Sequence, residues 1–197
     1  MLKRRVEHRL ESLYKRDPDT GEFAIEIDLD AYGEVFNEWD RGPLRSRDID
    51  PDLLTFLERC SADIPLKLPI GLHFYLPATE RNPAKEAWLA RGFRNYFELT
   101  EYQVARRIVR SKRMIMVYVL VAFVFLFSAY LAQPLVERRL LLQTLSEGLF
   151  IGGWVFLWEA FSRFSFTNRE MAVELREARR FLKAPIRFHY EKRKRYA

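Results

Sequence analysis

Apolar positions alternate with polar positions near both ends of the chain. From Glu22 to Asp30 every second side chain is apolar, and Ile186–Tyr190 repeats this two-residue period. Alternation of this kind is typical of a strand that is buried on one face only. The apolar stretch Leu66–Leu76 adds a further strand, with Pro69 near its start. The pattern therefore predicts three short strands, the last of which we expect to pair with the first two.

Four other stretches carry helix signals. Residues 2–16 place their apolar side chains on one side, which predicts an amphipathic helix. Asp50–Pro51 and Asn82–Pro83 each combine an N-cap residue with a first-turn proline, and Thr167–Glu170 is a capping box. The helix that starts at Pro51 is predicted to end near Ala62, and the helix after Thr167 before Pro185. The helix that starts at Pro83 is expected to continue into the following apolar run, with Gly92 as a candidate break.

A long uncharged run, Met114–Ala132, contains 19 residues. As a helix it would be roughly 28 Å long, about the thickness of a bilayer hydrocarbon core. A helix buried in a soluble protein normally keeps a polar stripe, and this run has only one serine and two tyrosines. It is therefore predicted to span a membrane.

A second apolar run extends from Leu140 to about Phe166 and is interrupted by Glu147 and Glu159. The linker between the runs is short and begins at Pro134, which is expected to stop the first helix. We expect an antiparallel hairpin with spans at about 114–132 and 140–163.

These elements predict an α+β cytosolic domain on a two-helix transmembrane hairpin. Residues 1–100 form the cytosolic α+β domain, and residues 101–166 form a juxtamembrane helix and the hairpin. Residues 167–197 form a cytosolic C-terminal helix, a short strand and a basic tail that pack on the N-terminal domain.

Charge is distributed unevenly and gives the orientation. Residues 1–100 carry 15 basic and 19 acidic side chains, whereas residues 101–197 carry 18 basic and 8 acidic ones. Lysine and arginine cluster before the first span and after the second, so the positive-inside rule places both termini in the cytoplasm. Anionic lipid contact is predicted for basic residues in two clusters: Arg106, Arg107, Arg110, Lys112, Arg113, Lys192, Arg193, Lys194 and Arg195. Nucleic acid is the weaker explanation of the tail cluster.

Two segments carry a resemblance. Glu147–Trp158, with the sequence EGLFIGGWVFLW, is followed by Leu182–Phe188, with the sequence LKAPIRF. In these motifs the chain resembles a widespread group of uncharacterised small bacterial membrane proteins with a cytosolic N-terminal part and a two-helix anchor. The likeness covers about the last 90 residues. It implies a multi-pass protein of the bacterial inner membrane, and it implies no chemistry.

Several classes of function have no sequence signal. Cys60 is the single cysteine, so neither a disulfide nor a cysteine-built zinc site is available within one chain. His8, His73 and His189 lie far apart in the sequence, and the glycines form no phosphate loop. No nucleophile is tied to a base by a motif. We therefore expect a non-enzymatic protein with no metal and no cofactor.

The second apolar run holds the remaining candidate positions. Glu147 and Glu159, with Arg163 one turn further on, form a candidate intramembrane polar site. An interfacial Glu159–Arg163 ion pair and a helix end at Glu147 are the structural alternatives. The candidate helix-packing positions are Gly148, Gly152 and Gly153. Their expected partner is the first span, through Ala122 and Ala129, and a homo-oligomer is the alternative.

The stretch Asp17–Asp52 contains 12 carboxylates and three arginines. It lacks the order of ligands found in an EF-hand, so we interpret it as a solvated face that could recruit a basic partner. Residues 31–49 are predicted to be irregular, with Phe36 and Trp39 in the core. The leading hypothesis is an inner-membrane protein that presents a cytosolic interaction domain to a protein partner. The alternative is an oligomeric ion or small-solute pathway that uses Glu147 and Glu159.

Overall fold

Three parallel strands form the sheet of the protein. The computed structural model describes residues 10–18, 20–40, 48–136 and 140–191. Strand β1 is Phe23–Asp28, β2 is Ile70–Pro77 and β3 is Ile186–Glu191, in the order β1-β2-β3. The register pairs Ile25 with Leu72, and Phe74 with Phe188. The three predicted strands are confirmed, although β2 begins at Ile70 rather than at Leu66.

Helix α1, Pro51–Asp63, lies between β1 and β2 in the chain. The Asp50 side chain accepts hydrogen bonds from the backbone N–H groups of Asp52, at 2.9 Å, and Leu53, at 3.2 Å. The predicted cap is therefore confirmed. Leu57 and Cys60 are buried on its inner side.

In the part of the chain that the structure describes, the segment between β2 and β3 contains three helices longer than α1. Helix α2 is Pro83–Val136, with 54 residues, and α3 is Leu140–Ser162, with 23 residues. A π-helical turn, Arg163–Thr167, leads into α4, Asn168–Lys183. The protein is thus mostly helical, and its two long apolar helices are inserted between the second and third strands of a small sheet.

The chain divides into two compact units, which we describe separately. One contains the described residues up to Tyr102 together with those from Arg176 onward, and the other is Gln103–Leu175. In the first unit, the inward faces of the strands pack against aromatic and aliphatic side chains of the helices. These side chains include Leu57, Ile64, Leu89, Phe93, Phe97 and Phe181.

The helix ends agree with the sequence expectations in part. Helix α2 continues through Gly92, because a glycine costs a helix only about 1 kcal/mol and the adjacent Phe93 is buried in the core. Pro134 lies inside the last turn of α2, which ends at Val136. Helix α4 begins at Asn168, as the capping box predicts, but it follows the π-helical turn directly, and the N–H of Asn168 bonds to the carbonyls of Arg163 and Phe166 in that turn.

The expectation for the core is half correct. Phe36 is buried, but Trp39 is 93% exposed. Phe36 follows the short helical turn Tyr32–Val35 and points inward. Trp39 lies in a turn, where its backbone N–H donates to the side-chain oxygen of Asn37. The predicted N-terminal helix is described only from residue 10, and its residues 2–9 lie outside the described residues.

Candidate functional site

One face of the sheet is polar and carries a network of side chains. We call Glu26, His73, Tyr75, Arg187 and His189 the polar face. The two-residue period places them opposite the core, and the register sets His73 beside Glu26 and Arg187 and sets Tyr75 beside His189. Residues distant in the sequence therefore become direct neighbours.

Two histidines form the centre of the polar face. Their rings stack with centroids 5.0 Å apart, and Nε2 of His189 lies 3.0 Å from Nδ1 of His73. Nη1 of Arg187 lies 3.2 Å from Nε2 of His73. A guanidinium can only donate, so Nε2 of His73 accepts and the neutral ring carries its hydrogen on Nδ1, which donates to His189.

The surroundings keep His73 neutral. Burial lowers the pKa of His73, and the neighbouring His189 and Arg187 lower it further. Protonation would put a hydrogen on the atom that accepts from Arg187. It would therefore break this contact and add a second positive charge beside the guanidinium.

Carboxylates hold the edges of this network. Arg187 forms ion pairs with Asp17 and Glu22, both at 3.1 Å. A Cβ at Gly71 would lie 3.3 Å from Nε2 of His73, so a glycine here keeps space for the ring.

On the other side of the network, Glu26 accepts from Lys15 at 2.8 Å and from Tyr75 at 2.9 Å. Burial alone would raise the pKa of Glu26, but these two hydrogen bonds outweigh it and the pKa is lowered. The polar face is thus held together by contacts among its own side chains and with Lys15, Asp17 and Glu22. Among the residues that the structure describes, no group of three or more histidine, cysteine or acidic side chains is placed to hold a metal ion.

An apolar pocket lies elsewhere in the same unit, and we call it the Trp88 pocket. Its volume is about 210 Å³. The lining residues are Ala31, Tyr32, Gly33, Phe36, Lys85, Trp88 and Leu89. Trp88 is 49% exposed, so half of a large aromatic side chain is available to a ligand.

Hydrogen bonds fix one wall of the Trp88 pocket. The hydroxyls of Tyr32 and Tyr190 lie 2.7 Å apart, and Tyr190 donates to Glu86 at 2.5 Å. Burial and the bond to Glu86 raise the pKa of Tyr190, so its hydroxyl stays protonated and continues to donate. The Tyr32 ring is therefore held in place before any ligand arrives.

Cys60 lies in the core. It is buried on α1, and burial raises the pKa of its thiol, which disfavours the reactive thiolate.

The most apolar stretches of α2 and α3 are largely unburied. The most apolar 18-residue windows of α2 and of the helix from Leu140 onward have mean hydropathies of 2.5 and 1.5, and only 11% and 6% of them are buried. A core helix of a soluble protein would be mostly buried. Both helices are thus long and apolar enough to cross a membrane.

Both aromatic and small residues lie at the contact between α2 and α3, where Phe156 packs against the rings of Tyr118 and Phe125. Cβ atoms built at Gly152 and Gly153 would lie 2.9 Å from Phe125 and 2.6 Å from Leu126, whereas at Gly148 nothing lies within 4 Å. Ser146 donates to the carbonyl of Ala129 at 3.3 Å. Along α3, Ser146 thus lies beside Ala129 of α2, and Gly153 lies beside Leu126 and Ala122.

The three predicted helix-packing glycines therefore differ in their contacts. Gly152 and Gly153 contact α2, where the carbonyl of the buried Ala122 faces Gly153, while the buried Ala129 is contacted by Ser146 instead. Gly148 does not join this contact, so the part of the packing hypothesis that pairs it with the first span is corrected. Contact between Gly148 and a second subunit stays a prediction.

The acidic positions of α3 also differ from each other. Glu159 pairs with Arg163 at 2.7 Å, one turn further on, and the Arg163 guanidinium lies over the Tyr118 ring. Glu147 is exposed. The two carboxylates are therefore not brought together into one site.

The structure describes five of the nine predicted lipid-contact residues. Arg106, Arg107, Arg110, Lys112 and Arg113 lie exposed on α2, and Arg107 pairs with Glu174 on α4. Lys192, Arg193, Lys194 and Arg195 lie outside the described residues.

Sequence reasoning missed the polar face because it treated His73 and His189 as unrelated. Both residues occupy polar positions of predicted strands, which was the available signal. That signal lacked the strand order, which alone makes them neighbours. The comparisons with family models, with curated proteins and with solved structures find no match to this chain.

Proposed function

We propose that this chain is a multi-pass protein of the bacterial inner membrane whose cytosolic domain binds a protein partner. In this proposal α2 and α3 cross the bilayer as a hairpin, and both termini lie in the cytoplasm. The unburied apolar windows support the crossing, because such a surface is costly in water and favourable in lipid. The excess of basic residues flanking the two spans supports the orientation.

The Trp88 pocket carries the partner-binding part of the proposal. A preformed apolar pocket beside a half-exposed tryptophan is the type of site that holds an anchor side chain of a protein ligand. Asp30, Glu34 and Glu38 are exposed in the segment that supplies four of the pocket residues. The ligand that fits is a segment with one apolar anchor flanked by basic residues.

Site-specific crosslinking tests the partner. A photo-crosslinking amino acid at Trp88, in bacterial cells that produce the full chain, should give a discrete protein adduct. The matched control is Leu99, which is exposed on the same helix and does not line the pocket. Glu34→Lys should weaken the Trp88 adduct by charge repulsion. Equal adducts at both positions, or adducts with lipid alone, would contradict the proposal.

Thiol accessibility tests the topology independently. In a Cys60→Ala background, Thr79→Cys should react with an impermeant maleimide only after the membrane is permeabilised. Gln143→Cys, close to the linker between the spans, should react in intact spheroplasts. Both positions are exposed. The reverse labelling pattern would overturn the orientation.

A further inference from the structure

A cavity of about 360 Å³ with a strongly basic lining opens in the unit that contains the sheet. We call it the basic cavity. Its charged lining residues are Lys67, Arg176, Arg179, Arg180, Lys183 and Glu22. One wall is the segment between α1 and β2, and the other is the C-terminal half of α4.

The buried guanidinium of Arg180 gives the cavity a rigid floor. Arg180 is 8% exposed, and its Nη1 and Nη2 donate to the carbonyls of Ile64 and Leu68, both at 2.9 Å. It also bonds to the carbonyls of Ser61 and Pro65. These acceptors are neutral and hold the guanidinium without cancelling its charge. Burial lowers the pKa of Arg180, yet an arginine remains charged in proteins.

Nearby carboxylates balance part of this charge, because Glu177 acts electrostatically on Arg180 and two other carboxylates form ion pairs. Glu22 pairs with Arg187, and Glu101 pairs with Arg179 at 2.7 Å. Lys67 and Lys183 are both exposed, and neither makes an ion pair with a residue that the structure describes. The negative end of the α4 dipole amounts to about half an elementary charge, less than either lysine supplies. The cavity is therefore electropositive.

The cavity also has a place for an organic group. Leu66, Leu68, Pro69, Ile70 and Ala184 complete its lining. Its volume is at the lower end of the range for small-molecule sites, about 300–1,000 Å³. We propose that the basic cavity binds a phosphate ester with a small organic moiety, the phosphate held by Lys67, Lys183 and Arg176. Two sources share this chemistry, a soluble metabolite and the headgroup of an anionic phospholipid.

The test uses the full chain, purified in a mild neutral detergent, and measures binding by calorimetry. Glycerol phosphate is the soluble probe, and short-chain phosphatidylglycerol, compared with short-chain phosphatidylcholine, is the lipid probe. The variant Lys67→Gln/Lys183→Gln changes two exposed residues and spares Arg180. The matched control is Arg91→Gln/Arg94→Gln, which removes two exposed cations from α2 outside the cavity.

We expect micromolar to millimolar binding that the cavity variant weakens by about tenfold or more and that the control leaves unchanged. Cavity-dependent binding of glycerol phosphate identifies a soluble ligand. Cavity-dependent binding of phosphatidylglycerol alone identifies a lipid headgroup. Absence of binding of both probes overturns the proposal, as does equal weakening in the control variant. None of these outcomes depends on crosslinking at Trp88, so this site and the proposed partner succeed or fail separately.

Discussion

Replacing Gly153 by leucine should separate α2 from α3, whereas the same change at Gly148 should not. Even the first carbon of a side chain at Gly153 would lie 2.6 Å from Cγ of Leu126 and 3.2 Å from the backbone carbonyl of Ala122. Leu126 can rotate away, but the carbonyl moves only if the helix moves. At Gly148 no atom lies within 4 Å of the added carbon.

The expected magnitude follows from these distances. Forcing extra carbons into a packed contact costs about 1–3 kcal/mol, which corresponds to roughly 5- to 150-fold in the ratio of packed to separated helices. Replacing a helical glycine gains at most about 1 kcal/mol through propensity. The net effect is therefore a loss at Gly153 and a neutral or slightly favourable change at Gly148.

Disulfide trapping in membranes measures this effect. In a Cys60→Ala background, Ala129→Cys and Ser146→Cys form the reporter pair, because the Ser146 hydroxyl lies 3.3 Å from the Ala129 carbonyl. Oxidation should trap the helix pair in the parent and in Gly148→Leu. It should trap much less in Gly153→Leu at equal protein level. Equal trapping in all three, or equal loss in both leucine variants, would refute the packing argument.

Two predictions concern the unit that contains the sheet. Because the pKa of His73 lies below the ordinary 6.5, the unfolded chain takes up the proton first as the pH falls, so thermal stability should be full above pH 6.5 and decrease below it. His73→Gln should reduce this decrease, and an unchanged pH profile would contradict the assignment. Asp50→Ala should cost about 1 kcal/mol in a denaturation experiment, because α1 loses the acceptor for two N–H groups, and Asp50→Asn should retain most of the stability. Equal losses in the two Asp50 variants would exclude the cap as the cause.

The local residue pattern was sufficient to predict those strands and helices whose own sequence indicates them. β1 and β3 were predictable because every second residue in each is apolar, and α1 because Asp50–Pro51 combines a cap with a proline. The junction after α3 was not predictable in this way. The capping box marks the first residue of α4, Asn168, but no sequence signal showed that the π-helical turn Arg163–Thr167 joins this helix directly to α3.

Positions that depend on neighbours distant in the sequence were harder to predict. Gly148, Gly152 and Gly153 all qualify as small residues, and only the position of Leu126 and Phe125 distinguishes among them. A seven-residue spacing was the available signal, since Gly153 and Ala160 share it with Ala122 and Ala129 on the other helix. The His73–His189 contact required the strand order β1-β2-β3, which no single segment encodes.

The last prediction distinguishes a membrane anchor from an ion pathway. Glu159 pairs with Arg163 at 2.7 Å, one turn further on, which fits a structural ion pair. Glu147 lies exposed on α3, seven residues after the first residue of the helix. On the anchor hypothesis it marks the periplasmic end of the span, so Glu147→Gln lowers the cost of insertion slightly and changes neither abundance nor the Trp88 adduct.

On the pathway hypothesis the same substitution removes a group that must ionise, so flux stops while the protein level stays normal. Proton and cation flux should therefore be measured in proteoliposomes containing wild type, Glu147→Gln or Glu159→Gln at equal density. We expect no flux above protein-free liposomes in any of the three. Robust wild-type flux that either glutamine variant abolishes, with oligomeric state unchanged, would refute the anchor and establish these carboxylates as part of a pathway.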